Sequence, residues 1–187
     1  NPSTAFSGRL RLNWKTAVSR ISERIRALQG NDMEVSGPLV SVMMPTFNRR
    51  RYLAQALGSA LGQHYRNIEV FVINDGGENV SDIVKSFNDS RIRFIDRRDN
   101  RGKAHSLNQA ISQAKGKYIA YLDDDDIWYP NHVGTLVAAL ENGGEGVAYS
   151  DLYKTWCRIK EDGERVVLGK KVEVSRDFDR FLMMQMN

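Results

Sequence analysis

Between residues 39 and 140 the chain alternates short apolar runs with longer stretches whose apolar side chains recur every three or four positions. Runs of the first kind predict strands over residues 39–44, 68–73, 92–95 and 118–122. Periodic stretches predict helices over 52–61, 81–87, with Ser81 as N-cap, and 103–114, which Gly116 breaks. Pro45 is expected to end the first strand, and Pro130 to sit in the first turn of a helix reaching about residue 140. A further short strand is expected at 147–149. A hairpin around 161–164 is expected to join 153–159 to 165–168. Strands alternating with helices are the signature of an α/β domain with a mostly parallel sheet and crossover helices.

Before this alternation, Leu10, Trp14, Ala17, Val18, Ile21, Ile25 and Leu28 recur at helical spacing among basic residues, predicting an amphipathic helix over 10–28. A linker follows to Pro38. Residues 1–37 thus form one segment and residues 38–187 the domain proper. The first 30 residues carry six cations against Glu23 alone, while the whole chain has a net charge of only +4. The body is therefore close to neutral, which argues against a nucleic-acid partner. The basic helix is expected to dock on a neighbouring domain or subunit, with a membrane surface as the other option.

One cysteine, Cys157, excludes an intrachain disulfide framework and fits a reducing compartment. No apolar run of about 18 residues and no secretory signal is present, so the expected location is cytoplasmic, with peripheral membrane contact left open. The chain opens on Asn1 rather than Met and closes on the apolar-rich residues 181–187. We read this as a piece of a longer polypeptide, incomplete at its C-terminal side.

The chemistry concentrates where strands end. Asp123, Asp124, Asp125 and Asp126 follow the apolar run 118–122. Adjacent carboxylates repel, and hard divalent cations such as Mn²⁺ or Mg²⁺ relieve that cost while leaving coordination positions for phosphate. An EF-hand is excluded, because the turn glycine would fall at Trp128 and the bidentate glutamate at Gly134. Two further polar clusters, residues 45–49 and 74–77, end the first two strands. A parallel sheet gathers all three on one edge, where ligands of open α/β sheets bind. His64, His105 and His132 fall on different elements and form no constellation. Trp128 and Tyr129 are read either as a sugar-pocket wall or as core.

Residues 38 to about 130 resemble the inverting GT-A glycosyltransferases of family 2. The resemblance rests on Val42-Met43-Met44-Pro45-Thr46-Phe47-Asn48-Arg49, Val72-Ile73-Asn74-Asp75-Gly76-Gly77, Asn100-Arg101-Gly102 through Asn108 and Ala110, and residues 114–126 ending in the four aspartates. It implies a Rossmann-like GT-A sheet flanked by helices and a nucleotide-diphosphate sugar as donor. UDP is the expected nucleotide, with dTDP and GDP open. It implies that Pro45, Thr46, Asn48, Asp75, Lys103 and Asp124 belong to the nucleotide-sugar site. Asp75 would accept the nucleobase imide, Thr46 and Asn48 would line base and ribose, and Lys103, or Arg101 beside it, would meet the diphosphate. Asp123 and Asp125 match the family's Asp-x-Asp pattern, with Asp126 adjoining, as ligands of Mn²⁺ or Mg²⁺.

Inverting transfer also needs a general base to deprotonate the acceptor. In the resembled family it follows well after the Asp-x-Asp cluster, so it is expected beyond Asn187; Asp151 is read as a turn residue. Family members build polysaccharides, lipid-linked glycans and glycoproteins, and the motifs choose no acceptor. The alternative is a non-catalytic nucleotide-binding or scaffolding module. A sugar-1-phosphate nucleotidyltransferase is disfavoured because its glycine-rich basic loop is replaced here by Pro-Thr-Phe-Asn-Arg.

Overall fold

The computed structural model describes residues 37–143, 146–160 and 165–174. The helix expected over residues 10–28 and the turn at 161–164 lie outside the described residues. Eight elements alternate: β1 (Val40–Thr46), α1 (Arg50–Leu61), β2 (Ile68–Asn74), α2 (Ser81–Ser86), β3 (Ile92–Asp96), α3 (Lys103–Ile111), β4 (Tyr118–Tyr121) and α4 (His132–Gly143). An antiparallel hairpin of β5 (Leu152–Ile159) and β6 (Arg165–Val174) follows. The first four strands form one parallel sheet in the order β3-β2-β1-β4.

Every residue of β1 and β2 is buried, as expected for central parallel strands covered on both faces. Side-chain alternation sends Val40, Val42, Met44, Val70 and Val72 to one face, where α1, α2 and α4 supply Leu53, Leu57, Ile83 and Val133. Met43, Phe71 and Ile73 point to the other face and meet Ala110 and Leu107 of α3. Leu53, Leu57 and Leu61 are fully enclosed, and each such burial contributes about 1.5–3 kcal/mol. No helix among the described residues is long and apolar enough to cross a membrane.

The same alternation leaves one face of β4 uncovered. Tyr118, Ala120 and Leu122 face the larger core, but Ile119 and Tyr121 look to the α3 side, and Tyr121 is 57% exposed. On that face the core built on α3 gathers residues of β1, β2 and β3 and none of β4.

Pro45 does not end β1. It lies inside the strand, paired with Ile73. Val40 donates to Asn67 and Asp75 donates to Thr46, so even-numbered residues of β1 turn their backbone groups toward β2. Tyr118 donates to Leu39 and Leu122 to Met43, so odd-numbered residues turn toward β4. Pro45 therefore faces β4 with no N–H to give, and the β1–β4 ladder stops there while the β1–β2 ladder continues.

Smaller corrections have local causes. Ser81 is not the cap of α2; Asn79 accepts the Ser81 N–H through its side chain at 2.8 Å. Pro130 precedes α4 rather than opening it, within a turn closed by His132 N–H on the Tyr129 carbonyl. Residues 147–149 form no strand: among the described residues no partner strand lies beside them, and Val147 is 75% exposed.

At the sheet edge opposite the site, the buried carboxylate of Glu69 accepts from Ser41 Oγ at 2.6 Å and from the Lys115 N–H at 2.7 Å. Ser41 Oγ in turn accepts from Gly116 N–H at 2.9 Å. This knot sets where β4 begins. Glu69→Ala leaves buried donors without acceptors, so the unfolding free energy is expected to fall by about 2 kcal/mol. A urea midpoint lowered at unchanged m-value checks this.

Candidate functional site

Three loops meet at the carboxyl edge of the sheet, and their close packing explains the Gly-Gly pair. Gly76 has φ of +73°, and a Cβ there would stand 2.5 Å from the Asn100 backbone nitrogen. A Cβ on Gly77 would stand 2.8 Å from the Asn48 nitrogen. Glycine is needed at both positions for the loops after β1, β2 and β3 to touch. Asn48 itself has a positive φ of 55°, which asparagine tolerates, and its Oδ1 accepts the Glu78 N–H at 2.9 Å. Asn48 thus braces the loop after β2.

Asp75 is 3% exposed at the end of β2. Its oxygens accept from the N–H groups of Arg101 at 3.2 Å and Gly102 at 2.8 Å, with Arg97 3.3 Å away. Burial pushes its carboxyl up, but the Arg101 N–H, the Ser106 hydroxyl, the Gly102 N–H and the Arg97 guanidinium outweigh burial and hold it below the ordinary range. Asp75, expected to face a nucleobase, fastens the loop 99–102 and the start of α3. Beyond it an open polar cavity of about 360 Å³ is lined by Arg97, Arg98, Arg101 and His105 among others.

The four aspartates diverge. Asp124, 4% exposed, turns inward and accepts from Thr46 Oγ1 at 2.6 Å, with Arg49 3.6 Å from its other oxygen. Burial raises its pKa, helped by Asp125 and Asp123 and opposed by Thr46 and Arg49. Asp124 and Thr46, both expected to touch the donor, are thus joined to each other beneath the surface. Asp123 pairs with Lys103 at 2.5 Å, and Asp125 pairs with Arg49. Asp126 donates its N–H to the Asp123 carbonyl at 3.1 Å, closing the turn. Its carboxyl lies above the ordinary range, through crowding by protein first and the Asp125 and Asp123 carboxylates next.

Asp123, Asp125 and Asp126 therefore offer hard oxygen donors on one short turn, which fits Mg²⁺ or Mn²⁺. Among the described residues, no three Asp, Glu, His or Cys groups already converge as a cage. Two of the three carboxylates are held by Lys103 and Arg49 instead.

The family model described as glycosyl transferase family 2 matches residues 41–181, well over half the chain. The chain belongs to glycosyl transferase family 2. Over 116 residues it is 34% identical to the UDP-Glc:alpha-D-GlcNAc-diphosphoundecaprenol beta-1,3-glucosyltransferase WfaP of Escherichia coli, covering 62% of this chain and 46% of that one. Over 99 residues it is 42% identical to an uncharacterized glycosyltransferase of Rickettsia bellii, covering 51% of this chain and 14% of that one. The chain thus spans less than half the length of either relative. Among solved structures it is similar to the mannosyltransferase PcManGT of Pyrobaculum calidifontis in complex with GDP-Man and Mn²⁺, at TM-score 0.54 and 21% identity. That match covers 68% of this chain and 41% of PcManGT. It is also similar to S. aureus TarS 1-349 in complex with UDP, at TM-score 0.51 and 23% identity, covering 59% and 38%. These structural likenesses establish the GT-A fold.

Within this family 2 chain, the expected residues Pro45, Thr46, Asn48, Asp75, Lys103 and Asp123 to Asp126 do gather on one sheet edge. His64, His105 and His132 lie apart from one another; His132 stacks on Trp128 at 4.7 Å, and burial lowers its pKa. Asp151 stands exposed just before β5. Sequence reasoning passed over three arginines. Arg49 stood inside a quoted motif, and its position after the loop asparagine was the available signal. Arg97 and Arg165 carried none.

Asp75→Asn tests the loop fastening. A carboxylate with a depressed folded pKa stabilises above its unfolded pKa and loses that stabilisation as pH falls through the folded value. The variant is expected to lose about 1–3 kcal/mol at pH 7. That deficit should shrink below about pH 4, where the unfolded-state carboxyl protonates. Urea unfolding of both proteins across pH 3–7 checks it.

Proposed function

We propose that this domain binds the nucleotide-diphosphate sugar, UDP-sugar by preference, of a metal-dependent, inverting glycosyltransferase. The observation that carries the reading is the charge order of the sheet edge, where carboxylates and cations interleave as Asp123 with Lys103 and Asp125 with Arg49. A nucleoside diphosphate bound with its divalent cation presents the complementary set. Both ion pairs are solvent-exposed, and such pairs are worth about 0–1 kcal/mol each. Exchanging them for a ligand therefore costs little.

In this reading Lys103 and Arg49 turn from the carboxylates to the diphosphate oxygens. Asp123, Asp125 and Asp126 then hold Mn²⁺ or Mg²⁺, which supplies Lewis-acid stabilisation of the charge that builds on the departing diphosphate. Thr46 and Asp124 keep the turn in place from below, and Asn48 braces the base-side loop. Asp75 first shapes the wall of the base pocket; it accepts a nucleobase imide only in exchange for one of its present donors. Inversion follows if an acceptor hydroxyl attacks from the face opposite the diphosphate, and we assign no general base among the described residues. Nucleotide-sugar complexes of structurally similar proteins, PcManGT with GDP-Man and Mn²⁺ and S. aureus TarS 1-349 with UDP-GlcNAc, support a donor of this class.

A thermal-shift titration with UDP in Mn²⁺ tests the reading. Ligand at a hundredfold over its dissociation constant stabilises by about 2.7 kcal/mol, which for this size means a rise of about 5–10 °C. EDTA and Asp125→Ala should each remove most of the rise. No shift with UDP, dTDP or GDP would overturn the donor-site assignment and favour a scaffolding module.

A further inference from the structure

We infer that Arg165 is a positioning residue of the donor site, holding the aspartate turn from the hairpin side so that Asp125 and Asp126 stand ready for a divalent cation; this rests on the donor-site reading above. Arg165 opens β6, 39 positions after Asp126, and belongs to neither the sheet nor its loops. Its Nη1 nevertheless donates to the Asp125 backbone carbonyl at 2.8 Å. The guanidinium carbon lies 5.2 Å from the centre of the Tyr52 ring, on α1. One side chain therefore ties three elements together: the hairpin, the aspartate turn and the helix that begins after Arg49.

The geometry at Asp125 explains why this matters. Arg49 engages its carboxylate and Arg165 its carbonyl, so one residue is gripped from both ends by separate arginines. The turn has two other anchors, the Asp124 carboxylate on Thr46 and the Asp126 N–H on the Asp123 carbonyl. The second of these holds the peptide plane between Asp125 and Asp126 by its N–H alone. Arg165 holds the same plane by its carbonyl, so the unit is fastened at both ends and from outside the turn. When ligand draws Arg49 away toward phosphate, Arg165 is the arginine that stays on Asp125. A guanidinium suits the task because it remains charged at any working pH and can stack on Tyr52 while donating in its own plane. The stack removes rotamer freedom in advance, so the hydrogen bond costs less ordering.

The hairpin is thereby coupled to the donor site. A further tie to the domain is the edge-on contact of Tyr153 with Tyr129, centroids 6.3 Å apart, just beyond the same turn. Whatever moves the hairpin moves the carbonyl of Asp125.

The test is UDP binding by calorimetry in Mn²⁺ and again in EDTA, for the wild-type chain, Arg165→Ala and Arg165→Lys. Partners that orient metal ligands typically matter about ten- to a hundredfold. Arg165→Ala is expected to weaken UDP binding in Mn²⁺ by about tenfold or more, and to raise the Mn²⁺ concentration needed for half the effect. Its binding in EDTA should match the wild type. Arg165→Lys, which keeps a cation and a donor, should recover part of the loss. A purely structural role would lower the ligand-free melting temperature and leave the Mn²⁺ dependence unchanged, which overturns the inference. Wild-type binding with an unaltered Arg165→Ala also overturns it, while the donor-site reading survives. If the wild type fails to bind UDP, dTDP and GDP alike in Mn²⁺, both fall; if it binds only one of the other two, the same comparison is read with that nucleotide.

Discussion

The bond from Thr46 to the buried carboxylate of Asp124 turns four adjacent aspartates into a site. It spans 78 positions and joins the end of the central strand to the turn that follows the edge strand. Its precondition lies one residue earlier. Pro45 offers no N–H toward β4, so the β1–β4 ladder stops and the chain after Leu122 is free to leave the sheet. Thr46 then catches it. Without the proline the fourth strand would run on in register, and alternate aspartates would be aimed into opposite faces. With it, Asp124 alone goes inward and its neighbours stay at the surface.

The far side of the turn is secured by α1. Ser59 Oγ accepts the Trp128 N–H at 3.1 Å, and the amide of buried Gln63 serves the carbonyls of Ser59 and Tyr129 and the N–H of Val133. A side-chain amide that satisfies three backbone groups in the interior is costly to replace. Residues 124–133 are thus clamped at both ends, from β1 and from the last turn of α1 with the Gln63 that follows it. The exposed carboxylates sit on a segment whose backbone has little freedom, which is the condition for binding without a large ordering cost.

Much of this was legible in the sequence. Buried parallel strands read as near-continuous apolar runs, and Ile68 to Ile73 and Val40 to Met44, interrupted only by Glu69 and Ser41, read as strands. Motif order then brought the three loops to one edge. What stayed hidden were properties of partners rather than of segments. Nothing in residues 147–149 says that no strand will lie beside them. Nothing in residues 118–122 says that α3 leaves one face bare. The direction of each aspartate was equally unreadable, because four identical side chains differ only in what they meet. Arg97 and Arg165 act through contacts made across the fold, and a single chain of letters carries no trace of such pairings.

The ion pairs that fill the site in the free domain are a consequence of its charge density. Arg49 and Lys103 offset carboxylates that would otherwise repel one another, and Asp124 and Asp126 titrate high through burial first and their neighbours' charge next. The same cations are held only by exposed pairings, which water and salt weaken. Buried contacts hold the frame and exposed ones hold the charges, so the frame is stiff where the charges are loose. A ligand that supplies both an anion and a cation can re-pair every group without disturbing Thr46, Asp124, Ser59 or Gln63. A bare anion would strand the carboxylates, and a bare cation would strand Arg49 and Lys103. Under the proposed donor reading the edge thus favours the two together over either alone, and the physical basis is the interleaving of charges rather than any one aspartate.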